Sequence, residues 1–128
     1  MPIIDAQVHI WAADSPARPW PKRGPPQRPV PFGQADLLSE MNAAGVDGAV
    51  IVPPSWEGEY NDLGLAAAQA YPKRFAIMGR IDPQLPASRG RLADWRKQPG
   101  MLGIRLSLNA QLSLFTEGHL DWFWGEAE

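Results

Sequence analysis

Four short apolar runs, at Ile3–Ile10, Gly48–Val52, Phe75–Ile81 and Met101–Leu106, alternate with stretches whose apolar residues recur at helical spacing. Runs of this length with β-branched content read as strands, and a helix between successive strands demands a crossover connection, so the chain is predicted to form strand-helix units on a parallel sheet. The first helix is expected over Ala35–Ala44, with Leu37, Leu38 and Met41 on one face and Gly45 at its end. The second is expected over Asp62–Tyr71, with Asn61 as N-cap, Leu63, Ala66, Ala67 and Ala70 stacked on one face, and Pro72 beyond. A third over Ala87–Lys97 would bury Leu92 and Trp95, and a fourth beginning near Thr116 or Gly118 would bury Leu120, Phe123 and Trp124.

One connection is unlike the others. From Pro16 to Pro31, seven of sixteen residues are proline, four are basic (Arg18, Lys22, Arg23 and Arg28) and none is acidic. Proline fixes φ and withholds a donor, which excludes both a helix and an internal strand here and favours a stiff loop. Because it follows the first strand, this loop belongs at the C-terminal strand ends, where parallel α/β folds bind ligands. It reads either as a solvated surface loop or as a lid with Trp20 packed over a site.

Side chains alternate along a strand. Asp5, Gln7 and His9 therefore share a face opposite Ile4, Ala6, Val8 and Ile10. Ala76, Met78, Arg80 and Asp82 oppose Phe75, Ile77 and Ile81, and Gly103, Arg105 and Ser107 oppose Leu102, Ile104 and Leu106. Three strands thus carry polar side chains toward their C-terminal ends on one face, where burial would cost free energy unless a partner or ligand satisfies them.

Composition removes several classes of function. The 128 residues carry 12 basic and 14 acidic side chains, so no global field draws the chain to nucleic acid or an anionic membrane. With no cysteine, disulfides and thiolate metal sites are excluded. No apolar stretch reaches the roughly 18 residues that span a bilayer, and Met1–Asp5 lacks the pattern of a signal peptide, so a cytoplasmic location is expected.

The run Ile3-Ile4-Asp5-Ala6-Gln7-Val8-His9-Ile10-Trp11 resembles the first-strand motif of the amidohydrolase superfamily, in particular the amidohydrolase 2 branch of sugar-lactone and pyrone-dicarboxylate lactonases and related decarboxylases. The likeness continues through Gly45-Val46-Asp47-Gly48-Ala49-Val50, Pro54-Ser55-Trp56-Glu57-Gly58 with Asn61, Tyr71-Pro72-Lys73-Arg74-Phe75, Asp82-Pro83 and Gly103-Ile104-Arg105-Leu106. It implies a distorted TIM (β/α)8 barrel with its hydrolytic site at the C-terminal strand ends. Residues 1–128 would supply the N-terminal half, about (β/α)4, as one partial domain containing the proline-rich loop 16–31.

In metal-dependent members of the family, a histidine, one intervening residue and a second histidine on the first strand bind a divalent ion such as zinc. The metal acidifies a bound water and polarises the carbonyl. Here His9 matches the second histidine and Gln7 stands at the first, offering only an amide oxygen, a weak donor for a transition metal. Metal-dependent and metal-free hydrolysis both remain open, with His9 as the expected catalytic residue and the expected metal ligand if a metal is held.

Arg105 and Arg80 are expected to bind substrate carboxylate through their guanidinium forks, the rival for Arg80 being an internal ion pair with Asp82 or Asp5. Gln7, Trp11 and Trp56 are expected to line the pocket, the rival for each tryptophan being core packing. Asp5 is expected to organise the first strand, and His119 to be solvated. The function expected is a hydrolase acting on a small, acidic lactone or related carbonyl substrate, with activity in the complete barrel. The alternative is a noncatalytic half-barrel module that dimerises or binds a ligand. Four strands leave two open sheet edges, so self-association is expected, with no nucleic-acid or membrane partner.

Overall fold

The computed structural model describes residues 1–24, 26–107 and 112–127. Strands β1 (Ile4–Val8), β2 (Gly48–Ile51), β3 (Phe75–Gly79) and β4 (Met101–Ile104) form one parallel sheet in the order β1-β2-β3-β4. β1 and β4 therefore each present one unpaired edge among the described residues. Each strand stops earlier than its apolar run.

Helix α1 (Gln34–Ala44) begins where the Gly33 N–H donates to Asp36 Oδ2 at 2.9 Å, and it ends at Gly45, whose φ of 70° is the left-handed conformation that glycine adopts without penalty. Leu37 and Met41 are buried as expected. Helix α2 (Asp62–Ala70) is rotated from the expected face: Gly64, Ala67 and Ala68 are buried, whereas Ala66 and Ala70 are exposed. The reason is close approach. A Cβ on Gly64 would lie 2.5 Å from Ile77 Cδ1, and one on Gly100 2.4 Å from the Ala68 Cβ, so the row of smallest residues seats the helix on the sheet.

The expected third helix resolves into two 3-10 stretches, Pro86–Ser88 and Leu92–Lys97, flanking Gly90 with its φ of 77°. Leu92 and Trp95 are nevertheless buried. The expected fourth helix starts later than Thr116 or Gly118, as α4 (Asp121–Ala127) after a turn holding Gly118 at φ 75°, and it is preceded by a short helix that the spacing does not predict, α3 (Leu112–Thr116). Leu120 and Phe123 are buried as expected, but Trp124 is 39% exposed.

Two apolar clusters lie between sheet and helices. One joins Ile10, Trp11, Phe32, Leu37, Met41, Ala49, Ile51 and Phe75, and the other joins Ile77, Ile81, Leu92, Trp95, Met101 and Phe123. Ile51 and Ile77 are fully buried, each worth roughly 1.5–3 kcal/mol by removal from water. Across the strands, Val50, Ala76 and Met78 face the other way and remain half-buried.

Strict alternation fails at two register shifts. In β1, Asp5 pairs with Ala49 and Val8 with Ile51, leaving an extra residue on β1 between them. Ile4 consequently sits beside Gly48 on the half-open face, and Asp5 beside core Ala49 on the helix side, the reverse of the expected placement of these two residues. In β4, Ile77 pairs with Met101 but Met78 with Gly103, so Leu102 bulges out, 49% exposed, rather than sharing a face with Ile104 and Leu106. Beyond that bulge, Arg105 and Ser107 hold the expected face. No described helix is long and apolar enough to cross a membrane.

Candidate active site

The C-terminal end of β1 begins with a local device. Asp5 Oδ1 accepts the Gln7 N–H at 3.0 Å, holding the bulged backbone, in keeping with the structural role expected of Asp5. His9 follows, half-buried, and its Nδ1 lies 2.6 Å from the Val52 carbonyl oxygen. A carbonyl only accepts, so Nδ1 carries the proton, and in the neutral ring Nε2 keeps the free lone pair. Gln7, His9 and Trp11 line one cleft of about 370 Å³ together with Arg28, Phe32 and Glu40. This cleft runs between the free edge of β1 and α1.

The proline-rich loop is closed on itself at its root by a Trp11–Phe32 bridge, with both backbone bonds formed at 2.8 and 3.1 Å. The Trp11 indole N–H donates to Val30 O, and the Trp20 indole N–H to Ala12 O, each at 2.9 Å. Trp11 is buried in the core, 5.3 Å from the Phe32 ring and 6.4 Å from that of Trp56, while Trp20 and Trp56 pack against the same cluster. Core packing thus accounts for much of these aromatics, while Trp11 also borders the cleft.

A second tie fastens the loop to the segment after β2. Arg18 donates to buried Glu57 at 3.1 Å and to Asp62, with its guanidinium 4.5 Å from the Tyr60 ring centre. Burial pushes the Glu57 carboxyl above its ordinary value, and Arg18 pulls it partly back. Sequence reasoning missed this contact. Its signal was present in the charge pattern, since the loop has four bases and no acid while Glu57, Glu59 and Asp62 crowd a six-residue stretch.

A second electrostatic feature lies at the ends of β3 and β4. Arg80 and Arg105 directly follow the paired residues Gly79 and Ile104 on adjacent strands, and burial followed by the neighbouring Arg105 charge lowers the Arg80 pKa from its ordinary value. Both Arg80 terminal nitrogens lie 3.4 Å from Ser107 Oγ, a neutral partner. Among the described residues, no carboxylate lies within 4 Å of either guanidinium, so the rival ion pair of Arg80 with Asp82 or Asp5 does not form there. Asp82 is engaged otherwise: its Oδ1 accepts the Gln84 N–H, and its own N–H donates to Glu59 Oε1, both at 2.9 Å.

Asn61, expected to cap α2, makes no side-chain cap bond. Its amide instead reaches across to β3, with Oδ1 accepting the Arg80 N–H at 2.7 Å and Nδ2 donating to Arg80 O at 2.9 Å. His119 is exposed in the turn before α4, with Nε2 3.2 Å from Glu117 Oε2.

The site residues therefore fall into two groups. Gln7, His9 and Trp11 gather at β1, with Trp56 behind them, while Arg80, Arg105 and Ser107 gather at β3 and β4; β2 stands between the groups. Adjacent strands lie about 4.8 Å apart, so β1 and β3 are separated by about 10 Å, the span of a small multi-atom substrate.

A metal finds few donors here. Among the described residues no group of three or more histidine or acidic side chains is placed to hold an ion. His9 Nε2 is one donor and the Gln7 amide a weak second, whereas catalytic zinc takes three protein ligands. The described residues do not by themselves fit the metal site that metal-dependent relatives use.

A half-open parallel β/α sheet with polar side chains at its C-terminal strand ends is the architecture of one side of a TIM barrel. The amidohydrolase family model matches residues 4–128, and the chain belongs to that family. Among solved structures, it is similar to a probable 2-pyrone-4,6-dicarboxylic acid hydrolase from Acinetobacter baumannii with citric acid bound, at 22% identity and a TM-score of 0.64, over 95% of this chain and 48% of that one. It is also similar to an apo protein from Agrobacterium tumefaciens, at 23% identity and a TM-score of 0.52, over 80% of this chain and 36% of that one. The chain thus spans about half the length of the first of these structures, at 48%. No curated protein matches the chain.

Proposed function

We propose that this chain is part of an amidohydrolase-type hydrolase acting on a small, acidic lactone or related carbonyl compound. One observation carries the reading: two arginines at adjacent strand ends, without a carboxylate partner among the described residues, stand where this fold binds ligands. Two like charges held together are a standing cost that an anionic ligand relieves, and each fork matches a planar carboxylate. Turnover is assigned to an eight-stranded barrel, of which these strands form one side.

In this reading Arg80 and Arg105 anchor the substrate carboxylate, and the reacting carbonyl lies toward β1. His9, its Nδ1–H held by Val52 O, presents Nε2 to accept or donate a hydrogen bond at that carbonyl or at the attacking water. Gln7 adds an amide, and Trp11 and Trp56 form an apolar wall.

The test is paired. Binding of a carboxylated lactone and of its methyl ester is measured by calorimetry on this chain, and hydrolysis by pH-stat on the complete barrel. Arg105→Met is expected to weaken the acid by about tenfold or more and leave the ester nearly unchanged. His9→Ala is expected to lower kcat/KM by about a hundredfold with little change in affinity. Equal loss of acid and ester would overturn the anion-anchor role, and unchanged turnover in His9→Ala would remove His9 from the chemistry.

The two open sheet edges favour a second reading, a half-barrel that pairs with another copy. Exposed Ile4 and Leu102 sit on those outer strands, and isologous pairing would cover both edges together.

A further inference from the structure

The paired register between β2 and β3 ends at Ile51↔Ile77. Ala49 N–H donates to Arg74 O, and that parity turns the Arg80 N–H and C=O toward the β2 side, beyond the last paired residue of β2. Arg80 is the first residue past β3, so its backbone would lose ladder bonds on this side just where its side chain must be aimed. Asn61 fills the gap. Its carboxamide accepts from the Arg80 N–H and donates to the Arg80 carbonyl, as a peptide group of a neighbouring strand would.

The surroundings fit this role. Nδ2 also donates to Glu59 O at 3.1 Å, which fixes the orientation of the amide. A Cβ on Gly79 would lie 3.1 Å from Asn61 Oδ1, so the glycine before Arg80 leaves room for the amide. On the other side the Arg105 N–H donates to Gly79 O at 2.8 Å, which ties the two arginine-bearing strand ends together.

We propose that Asn61 is a positioning residue for the anion site, a surrogate strand whose carboxamide clamps the Arg80 backbone and holds its guanidinium beside that of Arg105. This rests on the anion-anchor reading of Arg80 and Arg105 given above. Without the clamp, repulsion between the guanidinium groups turns Arg80 outward, where solvent screens it, and the paired cationic surface is lost. Asn61 touches no substrate in this scheme.

The probe is citrate, titrated calorimetrically into this chain and into Asn61→Ala, Arg80→Met and the double variant. A second readout is the Nε–Hε signal and its heteronuclear relaxation for Arg80 and Arg105. Asn61→Ala is expected to weaken citrate by about tenfold, to make Arg80 Nε mobile, and to leave the Arg105 signal in place. The double variant is expected to bind citrate no more weakly than Arg80→Met, because Asn61 acts only through Arg80. Asn61→Ser, neutral and too short to reach both Arg80 backbone groups, is expected to show the same losses as Asn61→Ala, and it carries the test if the alanine variant does not fold.

Unchanged Arg80 order in both variants overturns the proposal, as does a loss in the double variant equal to the product of the single losses. Should wild type bind no citrate, the anion-anchor reading falls by itself. The ordering of Arg80 by Asn61 is then still decided by relaxation.

Discussion

Gly64 is the point at which α2 rests on β3, the strand that leads into Arg80, and alanine there sets two measurable effects against each other. In a helix interior, alanine is favoured over glycine by about 1 kcal/mol. Against this, the new Cβ would lie 2.5 Å from Ile77 Cδ1, 3.1 Å from its Cγ1 and 3.3 Å from Ile51 Cγ2, whereas carbon atoms rest at about 3.5–4.0 Å. Cδ1 is the end of a flexible chain, but Ile77 is 0% exposed and has no open space to enter. Overpacking of a closed core costs roughly 1–3 kcal/mol, so Gly64→Ala is expected to destabilise by about 1 kcal/mol net.

The double variant isolates the cause. Ile77→Val deletes Cδ1 and alone costs roughly 0.5–1.5 kcal/mol. With Cδ1 gone the tightest contact disappears, so Gly64→Ala in the Ile77→Val background should become neutral or stabilising. The coupling is then about 1–2 kcal/mol, well beyond the roughly 0.3–0.5 kcal/mol scatter of independent sites. Urea unfolding of the four proteins, followed by tryptophan fluorescence at constant m, measures it. Additive effects would refute the close seating of α2 on β3, as would a gain from Gly64→Ala alone near the full helix-propensity value.

Glu57 gives a pH prediction. Its folded-state pKa is raised, chiefly by burial, so over the window between the ordinary carboxylate value and the raised value the native state binds more protons and its stability falls as pH rises. Glu57→Gln should flatten that part of the urea-midpoint profile, and an unchanged slope would assign it elsewhere. Arg18→Met should free the proline-rich loop from Glu57 and Asp62 and speed limited proteolysis between Arg18 and Arg28, with urea stability changing less than the cleavage rate. Light scattering against concentration should show association through the free edges of β1 and β4, and Leu102→Lys should suppress it; a wild-type monomer at all concentrations would exclude edge pairing.

The β/α alternation was legible because each run carries its own period and its own stop, as Gly45 does for α1 and Pro72 beyond α2. The placement of Arg80 and Arg105 was also legible, since each falls one residue past a strand end on the same parity. The order of Ile4 and Asp5 was not. A bulge changes parity through one residue of pairing register, and register belongs to two strands, not one. Asn61 likewise looked like a local cap, because its true partner, Arg80, lies 19 residues away and meets it only when α2 is seated.

The sequence by itself determined the strand-helix order, the stiff loop after β1, the family and the residue types at the strand ends, because periodicity, proline geometry and motif are written within a few neighbouring positions. Tertiary structure alone decided which neighbours those residues meet. It left Arg80 and Arg105 side by side without a carboxylate partner among the described residues, gave His9 Nδ1 to Val52 O, locked Arg18 onto Glu57 and turned Asn61 into a stand-in for a strand. The physical reason is that hydrogen bonds and charge repulsion act over a few ångströms in space, and separation along the chain does not fix that distance.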